Sequence, residues 1–308
     1  MERNYLLLTP GPLSTTETVR KAMLQDWCTW DKDYNEGIVT PLRKGLLEIA
    51  GLDSEKYTDV LLQGSGTYCV EATIGAAVRP EDKLLILANG AYGKRMAQIA
   101  EYYKINYVLV SLSETELITG EIAQKALEEN PDITHLSMVH SETTTGLLNR
   151  IEEVAEVIRG KGITFIVDAM SSFAGVPIDI EKLGIDFLVS SANKCIQGVP
   201  GFGFIIAKKD KLMATKGNAR SLSLDIYAQW ETMEKGHGKW RFTSPTHVVR
   251  AFYQAMMELK AEGGIEARHR RYVENHRTLV EGMRKLGFKT LLPVSYTHLR
   301  AHETGAYL

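Results

Sequence analysis

Ile163-Thr164-Phe165-Ile166-Val167-Asp168-Ala169-Met170-Ser171-Ser172, and after it Asp186-Phe187-Leu188-Val189-Ser190-Ser191-Ala192-Asn193-Lys194, are two short apolar runs that each end in polar residues. Runs of this length, rich in β-branched and aromatic side chains, predict strands buried on both faces inside a parallel sheet. Such sheets receive their ligands beyond the carboxyl ends of the strands. Asp168 and Lys194 are therefore expected at one ligand-facing edge, a carboxylate and an amine on neighbouring loops.

Outward from this pair the pattern alternates. Strands are predicted at residues 59–62, 83–87, 106–110, 134–139, 163–167, 186–190 and 203–207, the last hairpin-like, with helices at 66–77, 92–103, 121–128 and 151–159. Strands separated by helices predict an α/β fold, a mostly parallel sheet with helices on both faces. Upstream, Ser14 with Glu17 reads as a capping box for a first helix reaching Met23, and residues 40–50 form a second. Beyond residue 245 the chain is helical, with Ile265, Tyr272, Val273, Leu279, Val280, Met283 and Leu286 on one stripe. His269 and His276 share the stripe and are read as packing residues. Residues 288–292 read as the first strand of a small C-terminal domain.

Composition narrows the ligand class. The 308 residues carry a formal charge of −2, with 44% hydrophobic and 24% charged residues, an ordinary balance for a folded domain with no electrostatic pull toward nucleic acid or a membrane surface. A small molecule is expected instead. Cys28, Cys69 and Cys195 are odd in number and contain no CxxC pair, which argues against a disulfide framework or a metal site and for a reducing, cytoplasmic compartment. Three leucines before Thr9-Pro10-Gly11-Pro12 are too few for a signal peptide, and no apolar run is long enough to span a bilayer.

Other strand ends carry polar groups too. Gly64-Ser65-Gly66-Thr67 opens a helix with N–H groups and hydroxyls that suit a phosphate, and it lacks both the GxGxxG spacing and the Gly-Lys-Ser/Thr ending of nucleotide sites. Tyr92 can lay its ring over a flat heteroaromatic group, and Thr143 offers a hydroxyl in Glu142-Thr143-Thr144-Thr145-Gly146. Each has an ordinary explanation: a capping aspartate, a solvated lysine, a packing tyrosine, a turn threonine. A lysine and an acid at one sheet edge, with a phosphate cup, are what pyridoxal 5′-phosphate requires, the lysine for its aldehyde and the acid for its pyridine nitrogen. Burial beside a cationic ring would lower the lysine's pKa.

Five loops converging on this chemistry carry a family resemblance. With the opening Leu8-Thr9-Pro10-Gly11-Pro12, the motifs Gly64–Thr67, Glu142–Gly146, Val167–Ser172 and Ser191–Lys194 resemble the fold-type-I, class-V pyridoxal-phosphate aminotransferases, over essentially residues 1–293. Asp26-Trp27-Cys28, Asp31-Lys32-Asp33-Tyr34 and Ser190–Gly198 are similar to the branch that moves the amino group of 2-aminoethylphosphonate to pyruvate. The resemblance implies that Lys194 holds the cofactor as an imine and acts as general base. Asp168 would then pair with the pyridine nitrogen, Tyr92 stack, and Ser65, Gly66 and Thr67 hold the phosphate. Thr143 would meet the phenolic oxygen, and Thr243 would reach the phosphate site of a second subunit, giving a homodimer with shared sites. An alanine glyoxylate or serine pyruvate transaminase would share every one of these residues. A cysteine desulfurase would need a mobile cysteine, which Cys195 beside Lys194 does not resemble, and a non-catalytic homologue would have no need of the Asp168–Lys194 pair.

The expected organisation is an N-terminal segment of the small domain (1–15), a large cofactor-binding domain (16–255), the start of an incomplete C-terminal domain (256–293) and a tail (294–308). Residues 294–304 match one reading frame of a transposon-end adaptor DNA, so the tail is excluded from fold reasoning, and His298, Arg300, His302 and Glu303 are not read as ligands. The resemblance implies a substrate-binding arginine from the C-terminal domain, beyond the native sequence present here.

Overall fold

In the computed structural model, which describes Leu7 and residues 9–297, Thr164–Asp168 is the central strand of a seven-stranded sheet. The strands are β1 (Tyr57–Gln63), β2 (Leu84–Ala88), β3 (Tyr107–Ser111), β4 (His135–Val139), β5 (Thr164–Asp168), β6 (Phe187–Ser191) and β7 (Phe202–Lys208), in the order β1-β7-β6-β5-β4-β2-β3. Only β7 runs against its neighbours, pairing antiparallel with β1 and β6. The helices are α1 (Glu17–Lys21), α2 (Lys32–Tyr34), α3 (Thr40–Ile49), α4 (Gly66–Ala77), α5 (Ala91–Tyr102), α6 (Gly120–Glu129), α7 (Ile151–Ile158), α8 (Lys209–Ala214), α9 (Ile226–Lys235), α10 (Thr246–Glu262) and α11 (Gly264–Lys285).

Side-chain alternation sends successive strand residues to opposite faces, and both faces are dry. Phe165, Val167 and Leu188 face one core with Leu42, Leu46, Val154, Phe252 and Leu259 from α3, α7 and α10. Ile166, Phe187 and Val189 face the other, against Val70, Ile74, Met96 and Ala100 from α4 and α5. This burial on both sides explains why the central strands are continuous apolar runs. Register then aligns the strand ends, with Val139 opposite Asp168 and Asp168 opposite Val189. The Asp168 main chain is pinned further: its carbonyl accepts from His140 N at 2.8 Å, and Ala169 N donates to the Val189 carbonyl at 2.9 Å.

Three local expectations change. The first helix is capped by Thr16, whose Oγ1 accepts from Val19 N, while Ser14 Oγ accepts from Leu7 N at 2.7 Å. Docking decides this, because Thr16 also donates to the Glu258 carboxylate on α10 at 2.9 Å. A π-helical turn, Asn35–Val39, precedes α3 and had no sequence signal. Residues 288–292 form no strand. Phe288 and Leu291 are exposed there, no neighbouring strand among the described residues meets them, and the segment leads instead into a 3-10 turn at Val294–Tyr296. Thr297 then bridges to Leu147. On α11, Tyr272 and Val280 are buried while Val273 and Leu286 are exposed, so the apolar stripe is narrower than its sequence pattern. The adaptor-like residues 298–308, with His298, Arg300, His302 and Glu303, lie outside the described residues. Among the described residues no helix is long and apolar enough to cross a membrane, and no group of three or more His, Cys, Asp or Glu is placed to hold a metal.

Candidate active site

The carboxyl edge of the sheet holds a cleft of about 160 Å³ lined by Ser65, Gly66, Thr67, Val70, Tyr92, Arg95, Asp168, Met170, Ser191, Asn193 and Lys194. Six of the predicted residues, Ser65, Gly66, Thr67, Tyr92, Asp168 and Lys194, therefore share one cavity although they come from four separate loops. The sequence gives no distance between them; the parallel register of β4, β5 and β6 does.

Asp168 ends β5 and is buried, with Met170 N donating to its Oδ1 at 2.9 Å. Burial raises its pKa to about 6; the Met170 N–H works against that rise, the Glu142 carboxylate adds to it, and Lys194 and Arg95 lower it. An acid in this setting is poised to share a proton with a basic ring nitrogen. Lys194 follows β6, half-buried, and its Nζ donates to the Pro10 carbonyl at 3.3 Å, so the opening segment closes over the amine.

The phosphate-type cradle is built by α4. Ser65 occupies its N-cap position in an extended conformation without a side-chain capping bond, which leaves its hydroxyl and the first N–H groups of the helix for an anion. Close approach here needs glycine: a Cβ on Gly66 would lie 2.2 Å from Met170 Sδ. Arg95 adds positive charge, its Nη1 donating to Thr67 Oγ1 at 3.3 Å and its guanidinium lying 4.8 Å from the Tyr92 ring centroid.

Tyr92 is held by Glu142. This carboxylate, fully buried at the start of α5, accepts from Tyr92 N and Gly93 N at 3.4 Å and from Thr144 Oγ1 at 3.1 Å. Behind it, Asn89 Nδ2 donates to Asn149 Oδ1 at 2.7 Å, and Asn149 Nδ2 donates to the Val139 carbonyl at 2.8 Å, which ties the α5 start to the end of β4.

Thr143 lines a different cavity. It borders an adjoining space of about 590 Å³, with Pro10, Tyr92, Glu114, His276 and Thr297, and its hydroxyl meets Ser171 Oγ at 2.7 Å. Tyr92 borders both spaces. Thr243 is exposed before α10 and lines neither. Sequence reasoning assigned no role to Arg95, Met170 or Asn193, and it marked Glu142 only by its place at a strand end; Arg95 lies one turn after Tyr92 on the same helix face, a spacing that would have revealed it. Cys195 is buried with Sγ against the Ser171 carbonyl at 3.3 Å, a packing position.

An amine, a buried acid, an uncapped helix start and an aromatic face around one cleft suit a flat, phosphorylated aldehyde bearing a ring nitrogen. Comparison with known proteins agrees with this chemistry. The family model described as aminotransferase class-V matches residues 54–303. The chain is 67% identical over 288 residues to a 2-aminoethylphosphonate–pyruvate transaminase of Bacteroides fragilis, covering 94% of this chain and 80% of that protein. It is 61% identical over 292 residues to one of Vibrio vulnificus, covering 95% and 79%. Among solved structures, an alanine–glyoxylate aminotransferase from Nostoc sp. superposes with a TM-score of 0.89 at 24% identity, covering 97% of this chain and 78% of that one, a likeness of fold.

Proposed function

The chain belongs to the class-V aminotransferase family, and on that premise we propose that it transfers the amino group of 2-aminoethylphosphonate to pyruvate, giving phosphonoacetaldehyde and L-alanine in phosphonate degradation. The observation that carries the reading is the convergence of Lys194, Asp168 and the Ser65–Thr67 cradle on one cleft. The cofactor is pyridoxal 5′-phosphate, and the uncapped start of α4 together with the buried acid fits its phosphate and ring nitrogen. Bound there, it supplies an electron sink and carries the amino group between the two substrates.

The protein's own residues do the rest. Lys194 Nζ would hold the cofactor through its aldehyde carbon and, when free, would serve as the general base at the substrate carbon. Asp168 keeps the ring nitrogen protonated. Tyr92, fixed by Glu142, covers the ring, while Ser65, Gly66 and Thr67 hold the phosphate with Arg95 beside them. Thr143, whose hydroxyl meets Ser171 Oγ in the adjoining cavity, would be the partner of the phenolic oxygen. Thr243 serves the phosphate site of a second subunit, so the working unit is a cytoplasmic homodimer.

The test is an absorption spectrum of the purified protein with added pyridoxal 5′-phosphate, repeated after 2-aminoethylphosphonate and, separately, serine. A visible band lost on adding the phosphonate and unchanged by serine supports cofactor and donor together. A band that responds to serine alone moves the donor to the serine pyruvate type, and absence of any band refutes the cofactor. The Lys194→Ala variant is expected to form no alanine and to leave no trapped cofactor after borohydride; alanine production by that variant would refute the assignment.

A further inference from the structure

The lysine is aimed by α11. Lys194 sits on a tight loop in which Gln197 N donates to the Lys194 carbonyl at 2.7 Å and Gly198 N to the Ala192 carbonyl at 2.9 Å, with Gln197 at φ 68°. A non-glycine residue in this left-handed region is held there by its surroundings. The surroundings come from successive turns of one helix. Arg268, 2% exposed, donates from Nη1 to the Cys195 carbonyl at 2.5 Å. Tyr272, equally buried, accepts from Gln197 Nε2 at 3.0 Å. His269 Nδ1 lies 2.9 Å from the carbonyl of Gly175, on the segment that follows Asp168.

We propose that Arg268 is a positioning residue for Lys194, holding the carbonyl next in the chain so that the amine projects into the cleft at a fixed height and depth. A charged donor is used because the contact is buried: Glu262 neutralises the guanidinium, accepting from Nε at 2.7 Å, and Arg271 shares the same carboxylate from a half-exposed position. The carbonyl thus receives a charge-assisted bond rigid enough to resist the strained turn. This proposal rests on the reading of Lys194 as the reactive amine.

The experiment compares wild-type protein with R268M, R268K, Y272F and R271M. Each is incubated with pyridoxal 5′-phosphate and reduced with borohydride, and modification of Lys194 is followed over time by mass spectrometry, per folded molecule. The expected result is a labelling rate about tenfold lower in R268M, the scale of a misplaced reacting group. R268K recovers part of the rate, Y272F shows a smaller loss in the same direction, and R271M labels like wild type. A wild-type rate in folded R268M would overturn the proposal, as would an equal loss in R271M. If R268M does not fold, Y272F decides: it keeps the buried ring, and wild-type labelling in it overturns the proposal. Failure of wild-type protein to label at Lys194 refutes the proposed function instead.

Discussion

Replacing Asp168 with asparagine is expected to stabilise the cofactor-free protein at neutral pH while abolishing amino transfer. The carboxyl is buried, and its pKa stands at about 6 against an ordinary 3.8, so the folded chain binds this proton more tightly than the unfolded one. Stability from the group is therefore full below about 3.8 and is lost as pH rises through about 6. The difference corresponds to about 3 kcal/mol at 1.36 kcal/mol per pH unit. An asparagine never ionises, and its oxygen can still accept from Met170 N. Relative to wild type, Asp168→Asn should gain about 3 kcal/mol near pH 7.5 and only about 1 kcal/mol near pH 4.5. Urea denaturation of both cofactor-free proteins at the two pH values measures this directly. An advantage that is the same at both, or a less stable variant at neutral pH, would refute the argument that burial holds Asp168 partly neutral. With cofactor bound the order should reverse, because the charged ring nitrogen compensates the carboxylate and has no such partner in asparagine.

Arg43 joins α3 to β1, its Nε donating to Asp59 Oδ1 at 2.7 Å and its Nη2 to Glu234 Oε1 at 2.7 Å, with Asp59 buried. Arg43→Met should cost about 3–5 kcal/mol in urea denaturation at neutral pH, since it strands a buried charge. The deficit should shrink on acidification, because burial raises the Asp59 pKa and protonation removes the stranded charge. Gly90→Ala places a Cβ 2.3 Å from Glu142 Cδ at a position whose extended backbone (φ −172°) tolerates alanine. It should cost about 1–3 kcal/mol by overpacking, and displacement of the carboxylate that holds Tyr92 should weaken cofactor binding in a spectroscopic titration; unchanged binding would separate Glu142 from the site.

Much was legible in order along the chain. Strand and helix periodicity placed β1 to β7 and α3 to α7 within a few residues, because burial on both faces of the sheet demands continuous apolar strands and striped helices. The rule that ligands gather at strand carboxyl ends singled out Ser65–Thr67, Tyr92, Glu142–Thr143, Asp168 and Lys194, and all but Glu142 and Thr143 line one cleft. Local signals were weaker where a distant partner decides: Ser14 and Thr16 are both good caps, and Glu258 on α10 chose between them. Thr143 has the right residue type for the cleft and lies in the adjoining cavity.

By itself the sequence determined the alternation of elements, the buried strands and the chemistry of each strand end, since these depend on neighbours within a few residues. Only the tertiary structure decided that β7 inserts antiparallel between β1 and β6, that Glu142 caps the helix bearing Tyr92, and that α11 grips the Lys194 loop through Arg268. Those contacts join residues far apart in the chain, and their energies come from burial and charge pairing that exist once the layers have packed.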